Sequence, residues 1–92
     1  MLLIKRGHSI ARKDKNPIIV TPEGNYVEVT FFAAFVWSKL DGITPLEPIA
    51  IELAHQGNFS IDQIKELMTQ TLDLLIENHL IEEYDPSAQQ GG

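Results

Sequence analysis

The sequence predicts a single α+β domain, in which an N-terminal antiparallel β-hairpin of about three short strands packs on three α-helices. Three observations predict it. Residues 2–30 contain β-branched and alternating runs separated by turn residues, and residues 31–78 carry apolar residues at helical spacing. The chain also has 92 residues, 43% of them apolar, which is the size of one small domain. We expect the domain to cover residues 1–84 and the small, polar residues 85–92 to form a disordered tail.

A hairpin is predicted between two runs that suit strands. Residues 18–20 are β-branched and residues 26–29 alternate, while the T-P-E-G sequence of residues 21–24 has the composition of a turn. Pro22 suits the first central position of a type I or II turn, and Gly24 or Asn25 can take a positive φ. The basic residues 12–15 are expected to form a solvated strand end or turn.

Helical periodicity begins at Phe31, with Thr30 as the expected N-cap, and the first helix is expected to end before the Asp-Gly pair at residues 41–42. The second helix is expected to open with a capping box made by the Thr44 side chain and Glu47, with proline at the first helical position. Its predicted core face is formed by Leu46, Ile49, Ala50, Leu53 and Ala54. The Gly-Asn pair at residues 57–58 is expected to end it.

The third helix is predicted to run from a capping box of Ser60 and Gln63 to about Asn78. Its apolar residues cover an arc of about 200°, wider than the stripe of a helix packed on one side. Two explanations stay open: neighbouring elements cover both flanks, or part of the arc lines a groove for a partner. Residues 80–84 can form a short final strand or an extended stretch, and the whole is winged-helix-like in architecture.

Several classes of protein are excluded or disfavoured by composition. The chain has no cysteine, which excludes disulfides and thiolate metal sites. Its longest apolar run, residues 31–37, is far shorter than the ~20 residues of a membrane-spanning helix. The apolar residues at the start precede the basic ones, the reverse of a secretory signal, so we expect a cytoplasmic protein. The net charge is −6: residues 1–20 carry +4 and the rest −10, which disfavours nucleic-acid binding.

Residues suited to catalysis or metal binding do not cluster in the sequence. His8, His55 and His79 lie in separate segments without metal-ligand spacing, and no glycine-rich phosphate loop is present. The carboxylates of the third helix lie on its expected solvent face; they are Asp62, Glu66, Asp73 and Glu77. We therefore expect a binding module that uses no cofactor and no metal ion, rather than an enzyme.

Two other functions remain as alternatives. A winged-helix DNA-binding regulator has the same gross shape, although its third helix would be acidic, with Lys65 as its one basic residue. A sulfur carrier would use the C-terminal pair Gly91 and Gly92, but such proteins bring a β-grasp strand into the tail.

Three segments of the chain resemble PqqD-like proteins, also described as RiPP recognition elements. The sequence I-I-V-T-P-E-G of residues 18–24 is similar to the family's apolar strand and P-E-G turn. The sequence V-W-S-K-L-D-G of residues 36–42 is similar to its helix ending in L-x-D-G. Residues 64–81 close an amphipathic helix with E-N-H-L-I, where the family has E-x-G-L-I. The resemblance spans residues 17–81.

The resemblance implies a domain that binds the leader segment of a ribosomally made precursor peptide and presents it to a modifying enzyme, often a radical SAM enzyme. The pathway is either that of pyrroloquinoline quinone or another peptide-modifying cluster. The leader would add as a strand to the last hairpin strand and lie in a groove against the third helix. The expected peptide-binding residues are Tyr26, Val27, Glu28, Val29, Thr30, Ile64, Leu67, Met68 and Thr71.

Alternation points Val27 and Val29 away from Tyr26 and Glu28, towards the core. The free strand edge makes either a monomer or a homodimer compatible with the sequence. We expect no membrane partner.

Overall fold

The computed structural model describes residues 2–84, which form five strands and three helices. In chain order these are β1 (Leu2–Lys5), β2 (His8–Arg12), β3 (Lys15–Val20), β4 (Tyr26–Glu28), α1 (Phe31–Lys39), α2 (Leu46–Gly57), α3 (Ile61–Glu77) and β5 (Ile81–Tyr84). The predicted α+β class is confirmed, while the winged-helix-like architecture stays a prediction. The expected tail and its Gly-Gly end lie outside the described residues.

β2, β3 and β4 form an antiparallel sheet in that order, which is the predicted three-stranded unit. The basic segment makes the turn between β2 and β3, and Asp14 there has a φ of 59°. The predicted turn between β3 and β4 is also confirmed. It is closed by a bond from Gly24 N to Thr21 O at 2.9 Å, and Thr21 Oγ1 accepts from Asn25 N at 3.0 Å.

β1 lies apart from that sheet and pairs antiparallel with β5, which confirms the predicted final strand. Its other edge meets the segment after α1, because Lys5 N donates to Leu40 O at 2.9 Å and Gly42 N to Leu3 O at 3.0 Å. Gly7 turns the chain from β1 into β2 with a φ of 83°, and a Cβ there would overlap the carbonyl oxygen of Val20. Only glycine fits this turn without strain.

The caps of α1 and α3 are confirmed. Thr30 Oγ1 accepts from Ala33 N at 3.1 Å, and Ser60 and Gln63 form a reciprocal capping box. Asn58 ends α2 in the left-handed conformation, as expected from the Gly-Asn pair.

The predicted capping box at the start of α2 is wrong. The helix begins one residue later than expected, at Leu46, and its N-cap is Pro45, which has no side-chain cap. Asp41 instead accepts hydrogen bonds from the backbone N–H and the hydroxyl of Thr44. Its Oδ1 accepts from Thr44 N at 2.8 Å and from Ile43 N at 2.9 Å, and Thr44 Oγ1 donates to its Oδ2 at 3.0 Å. The threonine therefore closes an aspartate-centred turn before the helix.

One hydrophobic core joins the helices to both sheets. The buried side chains are Leu3, Ile19, Val29, Ala33, Val36, Trp37, Leu40, Ile49, Ala50, Ala54, Ile64, Met68, Leu75, Leu80 and Ile81. Trp37 ties α1 to the end of the β1–β5 pair, because its Nε1 donates to Leu80 O at 2.9 Å and to Arg6 O at 3.2 Å. The α2 face was predicted correctly, with Leu46 and Leu53 partly buried against this core.

Candidate functional site

β4 is an edge strand, and its backbone leaves alternate groups unpaired. The bonds from Thr21 N to Asn25 O (2.8 Å) and from Val29 N to Pro17 O (3.0 Å) fix which residues face β3. In an antiparallel pair the facing and outward residues alternate. The N–H and C=O groups of Tyr26 and Glu28 therefore point away from the sheet and can pair with another strand.

Side chains along this edge alternate between solvent and core. Tyr26 is 71% exposed and Glu28 is exposed, whereas Val27 is half-buried and Val29 is buried in the core. The Glu28 carboxylate forms an ion pair with Arg12, whose Nε also donates to Asn16 O. The edge thus offers one aromatic ring and one paired carboxylate on its outer face.

The C-terminal end of the edge leads directly into α1. The side chain and the carbonyl of Thr30 are both used to begin the helix. Its Oγ1 accepts from Ala33 N and its carbonyl oxygen accepts from Ala34 N at 2.9 Å. Phe31 follows and is 66% exposed. It lies three residues after Glu28, hence within about 11 Å of it. Exposed aromatic rings therefore stand near both ends of the open edge.

The four predicted residues on α3 separate into two groups. Ile64 and Met68 are buried in the core, so in this conformation their side chains support the fold and do not face solvent. Leu67 is 42% exposed and Thr71 is half-buried. α3 packs mainly on α2, α1 and β5, whereas β4 packs mainly on β3. The described residues thus do not bring β4 and α3 together as close neighbours.

Neighbouring elements cover the middle of the wide apolar arc of α3 and leave side chains exposed at both of its edges. α2 lies against the flank that carries Lys65, Met68 and Leu72. The opposite flank exposes Leu67 and Leu74 to similar extents. Ile76, four residues after Leu72, is 50% exposed at the other edge, so the side that faces away from α2 is the one that exposes two leucines.

Sequence reasoning missed Phe31 as a surface residue. Its helical spacing identifies it only as part of the apolar repeat of α1, and α1 is apolar on all sides and cannot bury every face. The sequence does place Phe31 at the first helical position, and a side chain there projects past the end of the packed face, which indicates exposure.

The Asp41 carboxylate is held by the turn that precedes α2. Backbone N–H groups of Thr44, then of Ile43, lower the pKa of Asp41 from its ordinary value, and Asp41 is an exposed turn residue. Among residues 2–84 no three histidine or carboxylate side chains come close enough to hold a metal ion. The same residues include no helix long and apolar enough to cross a membrane.

Comparison of the chain with protein-family models, with curated proteins and with solved structures finds no match. The PqqD-like resemblance therefore stays a prediction.

Proposed function

We propose that this protein binds the leader segment of a ribosomally synthesised precursor peptide by strand addition to the open edge of β4. The observation that carries the proposal is the outward N–H and C=O groups of Tyr26 and Glu28. An added strand would satisfy all four of these groups without moving β3 or β4. The protein would present the peptide to a modifying enzyme, such as a radical SAM enzyme, in the pyrroloquinoline quinone pathway or another cluster.

Selectivity would come from side chains, because backbone bonds are available to any extended peptide. Each such bond contributes only about 1 kcal/mol net. Tyr26 and Phe31 offer large apolar surfaces at the two ends of the edge. Burial of one aromatic ring contributes more binding free energy than one backbone hydrogen bond does. We expect leader peptides that bind to carry apolar side chains spaced to reach both rings.

The proposal assigns no chemistry to the chain itself and requires no cofactor. It places the protein in the cytoplasm, where a ribosomal peptide meets its modifying enzyme. The acidic, exposed face of α3 argues against the alternative of duplex DNA binding, because phosphate backbones are repelled by carboxylates.

An amide NMR titration tests the proposal, with leader peptides encoded beside the gene of this protein. We expect shifts at residues 26–31 and a tighter complex for the wild type than for Tyr26→Ala or Phe31→Ala. Ile51→Ala is the matched control, since Ile51 is 54% exposed on α2, outside the edge. Unchanged affinity in both aromatic variants, or no shift with any neighbouring peptide, would overturn the proposal. Turnover of a peptide by the isolated chain would overturn its non-catalytic part.

A further inference from the structure

A second surface, separate from β4, runs along the solvent side of α3. Leu67 and Leu74 are both exposed there, and they are seven residues apart, which is about 10.5 Å along a helix. Phe59, 53% exposed, lies before the helix and shares with Leu67 a shallow groove of about 340 Å³. We call the exposed residues Phe59, Gln63, Leu67, Gln70 and Leu74 the α3 stripe.

Carboxylates flank the α3 stripe and have no cationic partner among residues 2–84. Glu66 and Asp73 are also seven residues apart, and Asp62 and Glu77 extend the same row. The ion pairs formed within residues 2–84 use other carboxylates, namely Glu28, Glu47, Glu52 and Glu82. The row therefore leaves its negative charge uncompensated beside exposed leucine.

We propose that the α3 stripe docks a basic amphipathic helix of a partner protein. One pair of leucines and one pair of carboxylates, each seven residues apart, match a helix with apolar residues at i and i+7 flanked by Lys or Arg. Charge complementarity selects this occupant. A second copy that docks antiparallel through its own α3 would oppose carboxylate to carboxylate, and an anionic membrane or nucleic acid would be repelled.

The association is weak and sensitive to salt. α3 has 17 residues and spans about 26 Å, so one helix laid on it buries less surface than a standard stable interface. Exposed ion pairs are screened over about 8–10 Å at physiological ionic strength. Such a contact suits transient docking of this protein on an enzyme or carrier.

This inference does not depend on peptide binding at β4. The α3 stripe shares only Leu67 with the predicted peptide-binding residues, and β4 is not a main neighbour of α3. A partner helix on α3 and a peptide strand on β4 are therefore separable events with separate variants.

The test uses the full chain and three synthetic helical peptides on an alanine host. The first carries Leu at i and i+7 flanked by Lys, the second has Glu for each Lys, and the third has Ser for each Leu. We expect amide shifts at residues 59–77 with the first peptide alone, and a weaker complex as salt rises. Glu66→Gln/Asp73→Asn should weaken binding on the order of fivefold. The control Glu23→Gln/Glu83→Gln removes the same charge at exposed sites elsewhere and should leave binding of the peptide unchanged.

The leucines are tested by Leu67→Ser/Leu74→Ser, with Ile51→Ser as the control for loss of an exposed apolar side chain. Both variants should fold, because these side chains are exposed and none of them belongs to the core cluster. Equal binding of the Lys and Glu peptides, or shifts confined to residues 26–31, would overturn the inference. An equal loss of affinity for the Lys peptide in the two serine variants would also overturn the inference. So would self-association through α3 that resists salt.

Discussion

Replacing Glu28 by proline should block peptide binding while the fold survives. The Glu28 N–H points out of the sheet, so proline at this position removes no bond to β3. Val27 is extended, which is the conformation that a residue before proline prefers. The folded protein loses mainly the exposed Arg12–Glu28 ion pair, and its free energy of unfolding should fall by less than about 1 kcal/mol.

The expected loss of affinity is much larger than this loss of stability. An added strand would lose one backbone bond, about 1 kcal/mol, and its carbonyl opposite the proline ring would stay unpaired at about 1–3 kcal/mol. The sum predicts a complex at least about tenfold weaker. Isothermal titration calorimetry with the leader peptide gives the affinity, and urea unfolding followed by circular dichroism gives the stability.

Two matched variants control this experiment. Glu28→Ala loses the same ion pair but keeps its N–H, so its affinity should stay within about threefold of the wild type. Val27→Pro removes an N–H that faces β3 and should destabilise the fold by about 3 kcal/mol. Equal affinity of Glu28→Pro and Glu28→Ala would refute the reasoning, since the outward N–H would then contribute nothing.

Three further predictions concern the fold. Trp37→Phe removes a buried donor to Leu80 O and Arg6 O and leaves a gap, so urea unfolding should show a loss of about 2–3 kcal/mol; a loss below 1 kcal/mol would contradict it. Gly7→Ala should cost at least about 2 kcal/mol, because its φ is positive and the Cβ meets the Val20 carbonyl; a neutral result would mean that the turn relaxes. Backbone N–H groups lower the pKa of folded Asp41, so its contribution is present above about pH 4 and is lost as pH falls through the folded pKa. Unfolding curves at pH 6 and pH 2.5 should therefore show a smaller acid-induced loss for Asp41→Asn than for the wild type.

The parts of the fold that local sequence encodes were predictable. The T-P-E-G turn, the Thr30 cap and the capping box of Ser60 each depend on residues within four positions of one another. The Thr44 cap was predicted wrongly because Asp41, only three residues earlier, accepts hydrogen bonds from the same threonine. Pairing of β1 with β5 joins the two ends of the described chain, and no local pattern specifies such a partner.

The candidate site was predictable in part for the same reason. Alternation identified Tyr26 and Glu28 as outward residues and Val29 as a core residue. The width of the apolar arc on α3 indicated an uncovered flank, but only the position of α2 decides that Leu67 lies on it and Met68 does not. Burial of Ile64 is set by neighbours distant in sequence, which periodicity alone does not identify.

Amide hydrogen exchange at β4 tests strand addition most directly. In the free protein the Val27 N–H faces β3 and should exchange slowly, whereas those of Tyr26 and Glu28 face solvent and should exchange fast. A saturating leader peptide should slow exchange at Tyr26 and Glu28 and leave Val27 unchanged. Fast exchange at both outward amides in a peptide-saturated protein would contradict strand addition at this edge.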